Sequence, residues 1–216
     1  MSAAAPQPTD APVPVLELEA AVLETSLGAE PVDLSLAPGA FGFLRGSSIS
    51  LVLLGLAAPV AGTVRIRGRE WSDLSLGEAE RARRRTGVVV NPRSHASQIW
   101  ISNLDVDENA LLAAQFDPTR HSAEVEQRAA ELAHTFGLAR GLPSMRPAAA
   151  PPGELVLAQW VRAFLLEPLD LLVLEEPLDG APPESAGALA LEIARVRREG
   201  TAVLWVGATK PDLVLD

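Results

Sequence analysis

The stretch Arg162–Pro177, RAFLLEPLDLLVLEEP, contains the features that decide the fold of this chain. Its first part completes an apolar helix that the sequence predicts over Leu155–Leu166. A strand follows at Leu171–Leu174, with apolar residues on both of its faces, and the acidic residues Glu175 and Glu176 end it. A strand without a polar face is typical of the centre of a parallel sheet that is covered on both sides.

Strands and helices alternate along the rest of the chain. Alternating or β-branched apolar runs predict the strands, and apolar stripes of helical period predict the helices. The predicted strands are Val15–Ala20, Ala40–Leu44, Thr63–Arg67, Gly87–Val90, Leu171–Leu174 and Thr201–Val206. The predicted helices are Ser47–Leu56, Ser75–Arg85, Leu104–Gln115, Ser122–Phe136, Leu155–Leu166 and Glu184–Arg198. This order predicts an α/β domain with a largely parallel sheet, in which Thr63–Arg67 is an edge strand and Ser75 and Ser122 are N-caps.

The composition excludes several classes of function. The chain has 216 residues, a formal net charge of −10 and no cysteine. The acidic balance argues against nucleic-acid binding, and the lack of thiols removes disulfides and cysteine nucleophiles. Because His95, His121 and His134 are scattered along the sequence, no metal site is predicted.

The length and the terminal composition predict the domain organisation. Residues 1–14 are rich in alanine and proline and are expected to be disordered, whereas residues 15–216 are expected to form one domain. The longest apolar run, Leu51–Ala61, contains a glycine and a proline. It is too short for direct membrane insertion, since a spanning helix needs about 20 apolar residues.

Four blocks of the sequence, in the same order, resemble the ATP-binding domain of ABC transporters. They are LSLAPGAFGFLRG at Leu34–Gly46, LVLLGLAAPVAGTVRIRG at Leu51–Gly68, WISNLDVDENALL at Trp100–Leu112 and RAFLLEPLDLLVLEEP at Arg162–Pro177. They resemble the strand before the phosphate loop, the helix and strand after it, the segment after the Q-loop, and the Walker B strand. The resemblance implies a P-loop NTPase-like fold with a mixed sheet flanked by helices, and a helical subdomain at roughly residues 92–160.

The phosphate loop of that family is missing from its expected place. The motif G-x-x-x-x-G-K-[ST] surrounds phosphate with glycine amides, a lysine and a hydroxyl. Here Gly46 is followed directly by Ser47 and Ser48, and the only lysine is Lys210. Aligning both flanks leaves a gap of about six residues, so we expect a tight strand-to-helix turn instead. Gly46, Ser47 and Ser48 then stand at positions that correspond to the motif but do not form its phosphate-binding loop. Asn91 stands where the family has the Q-loop glutamine.

The other positions that the family uses on ATP also differ. By the resemblance, Glu175 stands in place of the Mg²⁺-linked aspartate and Glu176 in place of the base that polarises water. The alternative is that these two acids are exposed residues at the end of a buried strand, and both interpretations stay open. The signature motif is replaced by Ala150–Glu154, and Gly207–Thr209 replaces the switch histidine. Together the changes predict that neither ATP nor Mg²⁺ is a cofactor and that the chain is not an ATPase.

A docking surface for a partner is predicted at Ile99, Trp100 and Ile101. In the family that this chain resembles, the region after the Q-loop receives the coupling helices of a transmembrane subunit. A tryptophan between two isoleucines would make an apolar anchor if exposed. The alternative is that Ile99 and Ile101 pack in the core.

The sequence therefore predicts a catalytically degenerate ABC-type subunit that plays a structural or regulatory part in a membrane transport complex. WISNLDVDENALL resembles the ATPases of MCE-type lipid transporters, which narrows the expectation to lipid transport. The resemblance implies a transmembrane permease as partner, a second ATPase subunit as a further candidate partner, and a cytoplasmic location peripheral to the inner membrane. Two alternatives stay open: a divergent ATPase whose site a partner completes, with Glu176 as base, and a free-standing protein-interaction module.

Overall fold

The computed structural model describes residues 12–23, 30–46, 48–91 and 99–212. Three sequence predictions fall on other residues: Ser47 in the strand-to-helix turn, His95, and residues 1–11 of the segment expected to be disordered.

Within these ranges the chain forms eight strands and six α-helices. The strands are β1 Leu16–Val22, β2 Pro31–Leu36, β3 Phe41–Arg45, β4 Ala61–Ile66, β5 Arg69–Glu70, β6 Thr86–Val89, β7 Leu171–Glu175 and β8 Ala202–Gly207. The helices are α1 Ser50–Leu53, α2 Leu76–Arg84, α3 Val106–Gln115, α4 Ser122–Phe136, α5 Pro152–Phe164 and α6 Ala186–Arg198. Short 3₁₀ turns lie at Trp71–Asp73, Pro147–Ala149 and Pro183–Ser185.

The strands form two sheets rather than the single mixed sheet that the sequence predicted. β3, β8, β7 and β6 are neighbours in that order in a parallel sheet, and β2, β1, β4 and β5 form an antiparallel sheet. Every residue of β7 and β8 is buried, whereas β2 buries only Leu36 and β4 buries only Val64 and Ile66. This difference is the physical reason for the division, since strands with one solvated face form antiparallel layers.

The parallel sheet lies between two layers. Leu172 and Leu174 of β7 pack with α4, α5 and α6, while Leu171 and Val173 pack with the antiparallel sheet and with Leu53 of α1. Successive side chains of a strand point to opposite faces, so this one apolar strand contributes to two hydrophobic clusters. The sequence prediction of a strand buried on both faces is confirmed.

Three predictions of secondary structure were wrong in detail, and the strand β2 was missed. Thr63–Arg67 was expected at an edge, but β4 lies between β1 and β5. The helix predicted over Ser47–Leu56 is only the single turn of α1, because the chain turns at Gly55, whose φ is +63°. The N-cap of α4 is His121, and the hydroxyl of Ser122 donates to Glu126 instead. β2 was not predicted, although Val32, Leu34 and Leu36 alternate with Asp33 and Ser35 as strand residues do. The capping box of Ser75 and Glu78 at the start of α2 is present as predicted.

Candidate functional site

The connection from β3 to α1 lies where the resemblance would place a phosphate loop. β3 ends at Arg45 and α1 begins at Ser50, so residues 46–49 make the whole connection. The amide of Gly46 donates to the carbonyl of Gly207, 3.3 Å away, which extends the pairing of β3 with β8. Ser48 is partly exposed and has a left-handed φ of +62°. The described part of this connection is therefore a tight turn.

The carboxylate of Glu175 accepts hydrogen bonds from the backbone amides at the start of α1. Glu175 is the last residue of β7 and is completely buried. One of its oxygens, Oε1, accepts hydrogen bonds from the backbone amides of Ile49 and Ser50, each at 2.7 Å. Unbonded amides at a helix start are the groups that bind anions, including phosphate. In this chain a side chain of the protein itself supplies the negative charge at that position.

The second oxygen of Glu175 bears on whether Mg²⁺ could bind here. Oε2 is buried and has no hydrogen-bond partner among the described residues. Mg²⁺ requires about six oxygen ligands in octahedral geometry, and a single carboxylate oxygen supplies one of them. In the described ranges no three histidine or acidic side chains are grouped closely enough to hold a metal ion. Among the described residues, the site thus offers Mg²⁺ a single free carboxylate oxygen.

Glu176, the candidate base, lies at the carboxyl end of β7 beside the end of β8. Its backbone has a left-handed φ of +43°, a conformation that costs a non-glycine residue about 1–3 kcal/mol. Its Oε1 accepts a hydrogen bond of 2.7 Å from the amide of Ala208, in the segment that replaces the switch histidine. The side chain is partly exposed, so this carboxylate, unlike that of Glu175, is accessible to solvent.

Asn91 is buried just after β6. Its neighbour Val90 donates its amide to the side-chain oxygen of Gln159, 3.2 Å away on α5. Gln159 is itself buried, and it ties the end of β6 to α5. The sequence analysis did not identify Gln159, although a lone amide inside an otherwise apolar helical stripe was the available signal.

The three residues of the predicted docking surface have different environments. Ile99 is buried, with an exposed fraction of 9%, whereas Ile101 is 45% exposed. Trp100 is partly buried against the cluster of Val106, Ala150 and Ala158. The predicted anchor of three exposed side chains is therefore reduced to Ile101 and one side of Trp100.

Two polar side chains hold this segment in place. Asn109 of α3 accepts from the amide of Ile101 at 2.8 Å and donates to the carbonyl of Ile101 at 3.1 Å. Arg162 of α5 donates to the carbonyl of Ile99 at 2.8 Å, and its guanidinium lies 5.0 Å from the centre of the Trp100 ring. Neither residue was identified from the sequence, because both contacts join segments that are separated along the chain.

Comparison with known proteins gives matches of one kind for this fold: ATP-binding domains of ABC transporters. No protein-family model matches the chain. The solved structure of an ATP binding subunit of an ABC transporter has a TM-score of 0.71, with 23% identity, and the match covers 89% of this chain and 79% of that one. A dimeric bacterial ABC transporter cassette has a TM-score of 0.72, with 19% identity, covering 90% of this chain and 88% of that one. These likenesses establish the fold.

Sequence relatives have the same kind of name. The ABC transporter ATP-binding protein RamB of Streptomyces coelicolor is 32% identical over 94% of this chain, a match that covers 33% of RamB. The macrolide export ATP-binding/permease protein MacB of Rhodopseudomonas palustris is 29% identical over 84% of this chain and covers 28% of MacB. The chain thus spans about a third of the length of these curated relatives. Of the helices that the structure describes, none is both long and apolar enough to cross a membrane.

Proposed function

We propose that this chain is an ABC-type subunit that has lost the use of ATP and supports a membrane transport complex by binding a transmembrane permease. The single observation that carries the proposal is the hydrogen bonding of Glu175 to the amides of Ile49 and Ser50. A buried carboxylate at those amides takes the place of a phosphate group and repels any other anion that approaches.

The sequence around the site supports the same proposal. No lysine stands near Gly46 to meet the charge of a triphosphate, and the glycine-rich loop of the motif is absent. The protein core does not need a nucleotide, because β7 packs against both layers through apolar side chains. Burial of such side chains contributes about 25 cal/mol per Å² of apolar surface to the stability of the domain.

The test of this proposal is calorimetric titration of the whole chain with ATP and Mg²⁺. We expect no binding at micromolar to millimolar ATP, for the native chain and for Glu175→Gln alike. The substitution removes the repelling charge but restores neither the lysine nor the loop. Stoichiometric binding of ATP at micromolar concentration by the native chain would refute the loss of ATP use.

The proposed permease contact is placed at Ile101, which has an exposed fraction of 45%. Together with the partly exposed ring of Trp100, this side chain offers an apolar anchor for a partner. By the same proposal the chain lies on the cytoplasmic side of the inner membrane. The expectation of lipid transport rests only on the resemblance of WISNLDVDENALL.

The permease contact is tested by affinity purification of the native chain from its own cells, with the co-purifying membrane protein identified by mass spectrometry. We expect a permease to be recovered with the native chain and to be lost with Ile101→Asp. Leu191→Asp is the matched control, because Leu191 is 74% exposed on α6. Recovery of the native chain with no permease would favour the free-standing interaction module.

A second candidate function, a divergent ATPase completed by a partner, is favoured by the partial exposure of Glu176 at the carboxyl end of β7. In that case the assembled complex hydrolyses ATP, and Glu176→Gln abolishes the activity. ATP hydrolysis that is unchanged by Glu176→Gln would exclude this role for Glu176.

A further inference from the structure

An apolar cavity of about 290 Å³ lies between α1, β6 and α5. Most of its lining is aliphatic: Leu51, Leu54, Val88, Val90, Ile99 and Leu166. Two cations, Arg83 and Arg162, also line it, and no acidic side chain does among the described residues. An apolar cavity with a few polar groups of one sign is the usual form of a small-molecule site.

Arg162 is a cation without a counter-ion. It is largely buried, and within the described ranges it forms no ion pair: its contacts are the carbonyl of Ile99 and the ring of Trp100. Burial lowers the pKa of Arg162 to about 10, which leaves the guanidinium charged at neutral pH. A largely buried charge without a partner is costly, and an anion beside it would recover that cost.

Several other arginines of the chain do have acidic partners. Arg67 and Arg85 both pair with Asp170, and Arg128 and Arg195 both pair with Glu167. In a chain with a net charge of −10, acidic partners are abundant.

The second cation, Arg83, stands on the α2 side of the cavity. Its guanidinium donates to the carbonyls of Leu54 and Gly55, at 2.9 and 3.2 Å, and lies 5.1 Å from the centre of the Trp71 ring. These partners are neutral, so the positive charge of Arg83 is also left without a carboxylate among the described residues.

We propose that this cavity binds a small carboxylate with an aliphatic tail, of the short fatty acid type, whose carboxylate pairs with Arg162. The guanidinium offers N–H donors in a planar fork that matches a carboxylate. The aliphatic walls accept the tail, and the volume lies near the lower end of small-ligand sites, which begin at about 300 Å³. This proposal goes beyond the proposed function and holds whether or not the chain uses ATP.

The first experiment is calorimetric titration of the whole native chain with butyrate, hexanoate and octanoate, and with octanol as the uncharged counterpart. We expect one molecule to bind, with the affinity rising about fourfold for each added methylene group until the cavity is full. Octanol should bind about tenfold more weakly or worse, because it lacks the charge-assisted hydrogen bonds to Arg162.

The second experiment uses variants at two positions of the cavity. Arg162→Met removes the charge at similar length and should weaken octanoate binding about tenfold while leaving octanol binding unchanged. Ala113→Phe should block both ligands sterically, because Ala113 is an exposed residue of the cavity lining on α3. Ala113→Ser is the matched control and should bind octanoate as the native chain does.

Several outcomes would overturn the proposal. These are the absence of octanoate binding to the native chain, equal affinities for octanoate and octanol, or full octanoate binding by Ala113→Phe. If Arg162→Met does not fold, the comparison of octanoate with octanol and the pair of Ala113 variants still decide the question. A carboxylate that binds only as a side chain of the permease would leave octanoate unbound, and so would also count against the proposal.

Discussion

At the residue scale, Glu175 connects the end of β7 to the start of α1. Its carboxylate is completely buried and accepts two amide hydrogen bonds through one oxygen. Buried amides that lose their acceptor cost more than a hydrogen bond is worth, because they cannot return to water. Glu175 therefore contributes to stability in a way that an exposed acid at a strand end would not.

Glu175→Ala should lower the free energy of unfolding by about 2–4 kcal/mol, since two buried amides lose their acceptor. Glu175→Gln keeps an acceptor oxygen and should cost only about 1 kcal/mol. Urea unfolding of the two variants and the native chain measures both values. If the alanine and glutamine variants were equally stable, the two amide contacts would not have the role assigned to them.

The lowered pKa of Glu78 predicts how the stability of the domain depends on pH. Its hydrogen bonds with the Ser75 side chain and backbone, followed by that with Arg69, lower the pKa of Glu78 from 4.5 to about 2. A lowered pKa in the folded chain stabilises it above pH 4.5, and this contribution is lost as the pH falls towards 2. The difference in unfolding free energy between the native chain and Glu78→Gln should therefore shrink over that interval. In a Ser75→Ala background the same difference should depend less on pH, because the main cause of the shift is gone.

At the element scale, β6 and α5 approach each other closely at Gly87. A Cβ atom at Gly87 would lie 2.4 Å from the carbonyl oxygen of Ala163, which is backbone and cannot turn aside. This close approach brings Val88 and Val90 beside α5 and thereby shapes the cavity next to Arg162. Glycine is required here by space and not by a positive φ.

Gly87→Ala should destabilise the domain by about 1–3 kcal/mol, the usual cost of forcing an extra carbon into a packed contact. Gly187→Ala is the matched control, because a Cβ at Gly187 in α6 meets nothing within 4 Å. The control should be neutral or stabilising by about 0.5–1 kcal/mol. Thermal or urea unfolding compares the three proteins, and a neutral Gly87→Ala would show that α5 can move away from β6.

Local patterns predicted the long elements well and the short ones poorly. The apolar stripe of α4 and the wholly apolar β7 were predicted because burial on one face or on both leaves a clear period. α1 is a single turn, which is too short to show a helical period. β2 does alternate apolar and polar residues over residues 32–36, and this signal was available in the sequence. The N-cap of α4 was predicted one residue too late, at Ser122 instead of His121. The exact end of a helix is harder to predict than its interior, because neighbouring residues compete for the cap position.

At the scale of the whole molecule, the parallel sheet is held between an antiparallel sheet and a layer of helices. Both layers are attached by apolar packing, together with hydrogen bonds such as those from the amides of Ile49 and Ser50 to Glu175. The domain is therefore expected to be equally stable with and without nucleotide, and to associate no more strongly when nucleotide is added.

Neither the unfolding temperature nor the sedimentation coefficient should change when ATP and Mg²⁺ are added at millimolar concentration. A ligand present at a thousand times its Kd would stabilise the folded chain by about 4 kcal/mol, which is easily measured. AMP is the control, because it lacks the β- and γ-phosphates. A shift with ATP that AMP does not produce would show that the triphosphate is bound after all.

The sequence by itself determined the fold class, the order of the long strands and helices, and the absence of a lysine and a glycine-rich loop beside Gly46. These depend on neighbouring residues, whose hydrophobic period and chemistry can be read directly. Only the tertiary structure decided that Glu175 bonds to Ile49, 126 positions away, that Arg162 lies by an apolar cavity, and that the strands divide into two sheets. Such contacts depend on how separate elements pack, because a side chain finds its partner only after the chain has brought distant segments together.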